Sequence, residues 1–388
     1  MRIEKAERLK KLPPYLFAEI DKAKRKAQDA GRDIIDLGVG DPDQPTPRHI
    51  VDKLYEAASD PANHHYALDL GMRAFRENIA RWHQKRFGVT LDPDTEILPL
   101  IGSKEGLAHL PLGLINPGDT VLIPEPCYPP YRSATIFAEG NPEYLPLLEE
   151  NGFLPRLNKI RPAVCARARL LFLNYPNNPT AATAPEAFFA EAVKFAREHN
   201  IALAQDAAYS ELAFDGYRAS SILQLEGAKD VAVEFHSLSK TYNMTGWRVG
   251  WACGNRDIIA ALSQVKSNID SGIFQAIQIA AICALNSGPE HLQGLVNLYR
   301  QRRDVICQGL NALGWKANKP KATFYIWTKL PRGHSDSIKF ARLLLDKADV
   351  IVTPGVGFGP SGKGYIRIAL TVPEERLQEA VARIKRII

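Results

Sequence analysis

A lysine stands among hydroxyl side chains at the point where an apolar run ends. Residues 231–235 predict a strand, and the sequence that follows is His-Ser-Leu-Ser-Lys-Thr, which contains Ser237 and Lys240. Arg248 comes eight residues after Lys240, beyond a Thr-Gly turn. These residue types suit an amine that attacks a carbonyl group beside a bound phosphate. The same short sequence could also contain a solvated loop lysine and a surface arginine without a function. The other motifs of the chain are therefore needed to decide between the two interpretations.

A carboxylate ends the apolar run at residues 201–205, which predicts another strand. This residue, Asp206, lies 34 positions before Lys240, and Tyr209 follows it closely. An acid at the end of a strand either caps the next helix or faces a ligand.

A turn of small residues joins a predicted strand to a predicted helix within residues 97–108. Gly102, Ser103 and Lys104 form this turn, so backbone N–H groups and the positive end of the helix dipole would face an anion. The segment matches neither G-x-G-x-x-G nor the G-x-x-x-x-G-K-[ST] loop. It predicts a phosphate cradle, with an ordinary strand-to-helix turn as the alternative.

Four further residues stand where ligand contacts are common, each with a structural alternative. Gly40 lies in a loop rich in glycine and proline, which lets the backbone approach a ligand or simply connects two elements. Tyr128, on a proline-stiffened loop, could stack on a flat ring or pack in the core. Asn178 could donate its amide to an oxygen or shape a turn. Arg367, flanked by apolar residues, needs an anionic partner, either a ligand or a structural carboxylate.

The order of the strands and helices that would position these residues indicates an α/β protein. Strands alternate with helical runs between residues 97 and 235, which favours a mainly parallel central sheet between helices. Helical spacing, broken at 268–275, also covers residues 14–30, 72–87, 185–200, 256–285 and 290–313. Short strands within 315–330 and 350–370 predict a smaller α+β domain. We expect an N-terminal arm at 1–45 that belongs partly to the small domain, a large domain at 46–285 and a C-terminal small domain at 286–388.

Composition and charge argue against several functional classes. The chain has 388 residues, a formal net charge of +6 and no block of five or six like charges, so no nucleic-acid or membrane-surface patch is predicted. Five scattered cysteines without a C-x-x-C pair predict neither disulfides nor a metal site, and they favour the cytoplasm. We expect neither a signal peptide nor a membrane span, because no apolar run is long enough.

The string Ser-Leu-Ser-Lys-Thr-Tyr-Asn-Met-Thr-Gly-Trp-Arg-Val-Gly around Lys240 resembles the cofactor segment of the class I/II aminotransferases, fold-type-I enzymes that use pyridoxal 5'-phosphate. Seven separated motifs follow the family order over nearly the whole chain. The resemblance implies that Lys240 forms a Schiff base with the cofactor and moves the substrate's α-proton, and that Asp206 keeps the pyridine nitrogen protonated. It also implies that Tyr209 and Asn178 share the cofactor's 3-oxygen and that Tyr128 stacks on its ring.

The resemblance further implies how the phosphate and the substrate are bound. The residues around the phosphate would be Ser103, Lys104, Ser237, Arg248 and, from the neighbouring subunit, Tyr66. The contribution of Tyr66 predicts a homodimer with composite sites. Lys104 stands where many relatives have a small or hydroxyl residue. Arg367 would bind the substrate α-carboxylate, beneath the loop of Gly40 and beside Asn178.

The implied function is transfer of an amino group between an amino acid and a 2-oxo acid. Within the family, residues 242–247 are most similar to those of the bacterial LL-diaminopimelate aminotransferases, which act between glutamate and tetrahydrodipicolinate in lysine biosynthesis. Alanine and aspartate aminotransferases are close alternatives. A pyridoxal phosphate β-lyase would use the same lysine and aspartate. A non-catalytic regulator usually needs an added DNA-binding domain, for which the charged N-terminal stretch is too short.

Overall fold

The computed structural model describes residues 3–13, 16–67 and 70–388, with the backbone alone for residues 16–19. Its helices are α1 (Glu7–Lys10), α2 (Leu16–Asp29), α3 (Arg48–Ala58), α4 (Arg73–Phe87), α5 (Ser103–Leu114), α6 (Pro130–Phe137), α7 (Pro162–Cys165), α8 (Glu186–His199), α9 (Leu238–Thr241), α10 (Arg256–Ser267), α11 (Gln275–Leu285), α12 (Pro289–Ala312), α13 (Ser337–Ala348) and α14 (Glu374–Ile384). Its strands are β1 (Ile35–Asp36), β2 (Ile97–Leu100), β3 (Thr120–Glu125), β4 (Asn141–Pro146), β5 (Ala168–Asn174), β6 (Ala202–Asp206), β7 (Ala232–Ser237), β8 (Gly250–Gly254), β9 (Tyr325–Lys329), β10 (Val350–Ile351), β11 (Thr353–Pro354) and β12 (Tyr365–Ala369).

The predicted helices are present, with small differences at their ends. The first residues of the helix predicted at 14–30, namely 14 and 15, lie outside the described residues. The break predicted at 268–275 separates α10 from α11. At its start, α10 is capped by Asn255, whose side chain accepts hydrogen bonds from two N–H groups of the first turn, at 3.0 Å each.

The central sheet is mainly parallel, as the sequence predicts. Within the described part of the chain, seven strands lie in the order β2-β8-β7-β6-β5-β3-β4. Strands β3 to β7 pair in parallel, whereas β8 runs antiparallel to both of its neighbours, β7 and β2. The carboxyl ends of β2, β3, β5, β6 and β7 therefore lie at one edge of the sheet, together with the beginning of β8.

Both faces of the inner part of this sheet are buried, because its central strands are mainly apolar. Along β5, Leu171 and Leu173 pack in one hydrophobic cluster, while Leu170 and Phe172 pack in another on the opposite face. Helices α4, α8 and α11 contribute to the first cluster, and α5, α6 and α10 contribute to the second. This layer of helices on each face is the α/β architecture predicted from the alternating pattern.

A smaller α+β unit is built from the two ends of the chain. An antiparallel sheet of order β11-β12-β9 and the parallel pair β1-β10 share a third hydrophobic cluster with α12, α13 and α14. The N-terminal segment joins it by backbone hydrogen bonds, from Ile35 N to Asp349 O at 2.8 Å and from Ala369 N to Leu37 O at 2.7 Å. The domain boundaries after residues 45 and 285 stay a prediction. Across the described ranges, no helix combines the length and the apolar character needed to cross a membrane.

Candidate active site

Several of the predicted site residues follow strands at the carboxyl edge of the central sheet. Asp206, at the end of β6, pairs with Asn174 at the end of β5. Gly250, the first residue of β8, pairs with Leu100 at the end of β2 and with Ser237 at the end of β7. Open α/β sheets bind their ligands at this edge, because polar loops and helix N-termini meet there. The register of the sheet thus brings together motifs that are far apart in the sequence.

Lys240 lies in the short helix α9, directly after β7, and its amine reaches the N-terminal loop. Its Nζ donates a hydrogen bond to the backbone carbonyl of Gly40 at 2.8 Å. Burial lowers the pKa of Lys240 to about 8, and the cations Arg367 and Arg248 add to this effect, while Asp41 opposes it. At pH 7.5 such a shift raises the neutral fraction of the amine from about 0.1% to about a quarter. The neutral amine is the form that attacks a carbonyl group.

Asp206 is buried at the end of β6 and is held by a tyrosine. The hydroxyl of Tyr131 donates to Asp206 Oδ2 at 2.7 Å, and the Tyr131 ring stacks on Phe172. Burial raises the pKa of Asp206 to about 6, although the hydrogen bonds from Tyr131 and from the backbone of Ala208 lower it. Such a carboxylate is stabilised by a cationic partner, which a protonated ring nitrogen would provide. No role was predicted for Tyr131, although it lies three residues after Tyr128.

Groups that bind anions converge beside Lys240. Ser103 is the first residue of α5, and a β-carbon at Gly102 would overlap the guanidinium of Arg248, so this guanidinium lies directly at the helix start. The Ser237 hydroxyl caps α9. The positive end of a helix together with a guanidinium favours a phosphate. Lys104 is exposed, and we find no hydrogen bond or ion pair for it among residues 3–13, 16–67 and 70–388.

Arg367 is 4% exposed, and its hydrogen-bond acceptors among the described residues are uncharged. Its Nη1 donates to Asn178 Oδ1 and its Nη2 to the Gly38 carbonyl, both at 2.8 Å. Its guanidinium lies between two rings, 4.2 Å from the centroid of Tyr325 and 4.7 Å from that of Phe358. Within the described residues it has no carboxylate partner, and its Nε has no hydrogen-bond partner. The sequence left a structural ion pair open as the alternative role of Arg367, and no such ion pair is present among the described residues.

Tyr209, three residues after the end of β6, contacts Tyr325 of the small sheet. The Tyr209 and Tyr325 hydroxyl oxygens are 3.0 Å apart. Burial and the adjacent Tyr325 raise the pKa of Tyr209 well above its ordinary value, so Tyr209 keeps its proton. Tyr128 is partly buried and contacts Tyr131 edge to face, with 5.8 Å between the ring centroids. Tyr325 was missed by the sequence reasoning because it lies in an ordinary apolar strand. The peptide bond between Asn178 and Pro179 is cis.

Tyr66 is separate from these residues in the single chain. Its side chain is 80% exposed, in a segment held by a hydrogen bond from Gln275 Nε2 to the His65 carbonyl at 3.0 Å. Phe274, at the beginning of α11, is another exposed aromatic residue close by, since its ring lies 6.2 Å from that of His64. The structure thus brings together the predicted residues at the sheet edge but leaves Tyr66 on the surface.

A second cluster of titratable groups fills the core between α4 and the sheet. Its members are His83, Glu234, His236 and Cys253. Trp251 Nε1 donates to His83 Nε2 at 3.1 Å, and Glu234 is 3.1 Å from His236 Nε2. Burial and the nearby His236 hold the pKa of His83 well below its ordinary value. Glu234 also accepts hydrogen bonds from the Ser221 hydroxyl and the Ile222 N–H, at 2.7 Å each, so the cluster forms a hydrogen-bonded core network.

The fold and the site define a class of enzyme in which a lysine amine acts on carbonyl compounds beside a bound anion, at the edge of a parallel sheet. The family model of aminotransferases of class I and II matches residues 32–384, so this chain belongs to that family. The protein is therefore an aminotransferase, as the sequence motifs predicted.

Relatives match the chain over its full length. It is 53% identical over 386 residues to the LL-diaminopimelate aminotransferase of Moorella thermoacetica, covering 100% of this chain and 99% of the relative. It is 54% identical over 387 residues to the LL-diaminopimelate aminotransferase of Syntrophobacter fumaroxidans, covering 100% of both. Among solved structures, substrate-bound BacF from Bacillus subtilis superposes with a TM-score of 0.96 at 42% identity, covering 100% of this chain and 98% of that one.

Proposed function

We propose that the protein is a pyridoxal-phosphate-dependent aminotransferase that acts on LL-diaminopimelate, with 2-oxoglutarate and glutamate as the second pair of substrates. The observation that carries the amino acid assignment is Arg367, a buried cation without a carboxylate partner among the described residues. A buried guanidinium of this kind is stabilised by a bound carboxylate. The choice of LL-diaminopimelate is supported by full-length relatives of that name at more than half identity.

The residues present fit pyridoxal phosphate. When bound, the cofactor supplies a ring that accepts electrons from the substrate's α-carbon. Arg248, Ser103 and Ser237 surround a position for its phosphate beside the start of α5. Asp206, whose carboxyl group is buried, would pair with the ring nitrogen, and Tyr128 would cover the ring.

Two further side chains would hold the cofactor's 3-oxygen. Tyr209 keeps its proton, so its hydroxyl group can donate a hydrogen bond. The Asn178 oxygen accepts from Arg367, and its amide nitrogen, for which no partner is found among the described residues, would donate to the cofactor.

Proton transfer at the substrate falls to Lys240. An amine with a pKa of about 8 is a general base of suitable strength near neutral pH. Its hydrogen bond to the Gly40 carbonyl directs it towards the N-terminal loop. The same loop supplies the Gly38 carbonyl to Arg367, so the base and the carboxylate-binding residue share one support.

A homodimer in the cytoplasm is the assembly and location that we propose. Tyr66 and Phe274 form an exposed aromatic surface that fits a subunit contact, and the free state of all five cysteines fits a reducing compartment.

If Tyr66 completes the partner's site, mixing Lys240→Ala with Tyr66→Ala subunits should give hybrid dimers with one intact site, and about a quarter of wild-type activity. A fully active monomer, or hybrids without activity, would contradict this assembly.

The substrate assignment is tested with purified protein saturated with pyridoxal phosphate. LL-diaminopimelate, alanine and aspartate are compared as amino donors to 2-oxoglutarate, and glutamate formation is measured. The Lys240→Ala protein, prepared in parallel, measures any host aminotransferase that copurifies. We expect rapid turnover of LL-diaminopimelate alone. Faster turnover of alanine or aspartate would replace this proposal with a general aminotransferase.

A further inference from the structure

Tyr325 contacts three functional groups although it lies outside every sequence motif. It begins β9 and is 2% exposed. Its hydroxyl oxygen is 3.0 Å from that of Tyr209, and its ring lies under the Arg367 guanidinium. A β-carbon at Gly40 would overlap its hydroxyl and come within 2.6 Å of its Cζ, so the loop that holds Lys240 packs directly on this phenol.

The two phenols share one hydrogen bond, and its direction matters. A phenol can donate one proton and can also accept. If Tyr209 donated to Tyr325, its only proton would be used within the protein. If Tyr325 donates instead, the proton of Tyr209 is available to a ligand oxygen.

Arg367 favours the second direction. A cation over the face of an aromatic ring stabilises negative charge that develops on the ring's oxygen, and so makes that phenol the better donor. The guanidinium lies 4.2 Å from the ring centroid of Tyr325, which is the phenol it therefore polarises. Among the described residues no cation lies over the Tyr209 ring, whose ring neighbours are Phe324 and Tyr325, with centroids at 5.5 and 5.6 Å; the charge of Arg367 lowers the pKa of Tyr209 only as a smaller effect beside burial.

We propose that Tyr325 is a positioning residue, which donates a hydrogen bond from its hydroxyl group to the Tyr209 oxygen and thereby fixes the direction in which Tyr209 donates to the cofactor's 3-oxygen. This inference rests on the proposed function. It also couples three parts of the site: the carboxylate-binding Arg367 sets the donor strength of Tyr325, and Tyr325 orients Tyr209 while it supports the loop of Gly40.

The experiment compares Tyr325→Phe with Tyr365→Phe in the cofactor-loaded enzyme. Phenylalanine at 325 keeps the ring beneath Arg367 and removes only the hydroxyl. Tyr365 is a matched control, because it lies on the same small sheet and its hydroxyl donates to Glu149 at 3.2 Å, outside the site. The main readout is the pH midpoint at which the visible absorbance of the lysine-bound cofactor changes.

Hydrogen bonds to the 3-oxygen favour its anionic form, so a Tyr209 that has lost the donor that orients it should raise this midpoint. We expect Tyr325→Phe to raise it by about half a pH unit and to lower kcat about fivefold, with KM for the amino acid within twofold of wild type. Tyr365→Phe should leave all three unchanged. A double variant Tyr209→Phe/Tyr325→Phe should be no worse than Tyr209→Phe, since Tyr325 acts through Tyr209.

Additive losses in the double variant, or an unchanged midpoint in a folded Tyr325→Phe enzyme, would overturn the proposal. Should Tyr325→Phe not fold, 3-fluorotyrosine at position 325 replaces it. That residue is a stronger donor, so the midpoint should then fall, and a rise would contradict the inference. Failure of the proposed function would be a different result, namely a wild-type protein that does not transfer the amino group of LL-diaminopimelate to 2-oxoglutarate.

Discussion

Replacing Lys240 by methionine should stabilise the cofactor-free protein at neutral pH. The folded protein holds the pKa of this amine at about 8, below its ordinary value of 10.5, chiefly because of burial. The unfolded chain therefore binds the proton more tightly, and this difference destabilises the fold. The penalty is present in full below pH 8, and it disappears as the pH rises towards the unfolded value.

The size of the effect follows from the shift. A difference of about 2.5 pKa units corresponds to about 3 kcal/mol of lost stability at low pH. Methionine also loses the hydrogen bond to the Gly40 carbonyl, which contributes about 1 kcal/mol. The net gain at pH 7 should thus be about 2 kcal/mol. At pH 10 the remaining penalty is below about 1 kcal/mol, so the two effects should nearly cancel.

Urea unfolding of cofactor-free wild type and Lys240→Met, at pH 7 and pH 10, measures both values. Lys104→Met is the matched control, since Lys104 is an exposed lysine at the same end of the sheet and its loss should change stability by less than about 0.5 kcal/mol at either pH. A Lys240→Met protein less stable than wild type at pH 7, or a gain that does not depend on pH, would refute the reasoning from burial.

Three further changes test other parts of the structure. Arg367→Gln should lower kcat/KM for the amino acid about 100-fold, mainly through KM, because a charge-assisted pair with the carboxylate is lost; an unchanged KM in steady-state kinetics would remove Arg367 from substrate binding. Gly40→Ala should lower the melting temperature, because its β-carbon would overlap Tyr325, whereas Gly294→Ala, in open space within α12, should raise stability by about 0.5–1 kcal/mol. Glu234→Ala should lower the free energy of unfolding by about 3 kcal/mol or more, since it leaves three buried partners unpaired; a loss below about 1 kcal/mol in urea unfolding would contradict the network.

The sheet edge was predictable because each motif there marks its own place in the sequence. A polar residue at the end of an apolar strand indicates where the chain leaves the core, as at Asp206 and before Lys240. Parallel strands then bring their carboxyl ends together, so strand assignment alone positions the residues. The break between α10 and α11 was predictable for a similar reason, since the apolar period is interrupted there.

Contacts between the two structural units were not predictable in this way. Tyr325 meets Tyr209 across 116 positions of sequence, and nothing in the spacing around either residue signals the other. Tyr131 has a similar difficulty within the large unit, because its partner Asp206 lies 75 positions away in the sequence. Arg367 was found from its apolar flanks, but its lack of a carboxylate depends on which loops fold over it.

The hydrogen-bond acceptors around Arg367 are uncharged, and for this reason a substrate carboxylate would displace them. The two carbonyl oxygens, of Asn178 and Gly38, satisfy two donors, while Nε is left without a partner among the described residues. Hydrogen bonds to a carboxylate are roughly twice as strong as those to neutral oxygens, and an unpaired buried donor costs about 1–3 kcal/mol. If Arg367 binds a substrate carboxylate as proposed, these differences favour exchange of the neutral acceptors for the carboxylate. The free enzyme thus holds its arginine in place with bonds that are weak enough to be replaced.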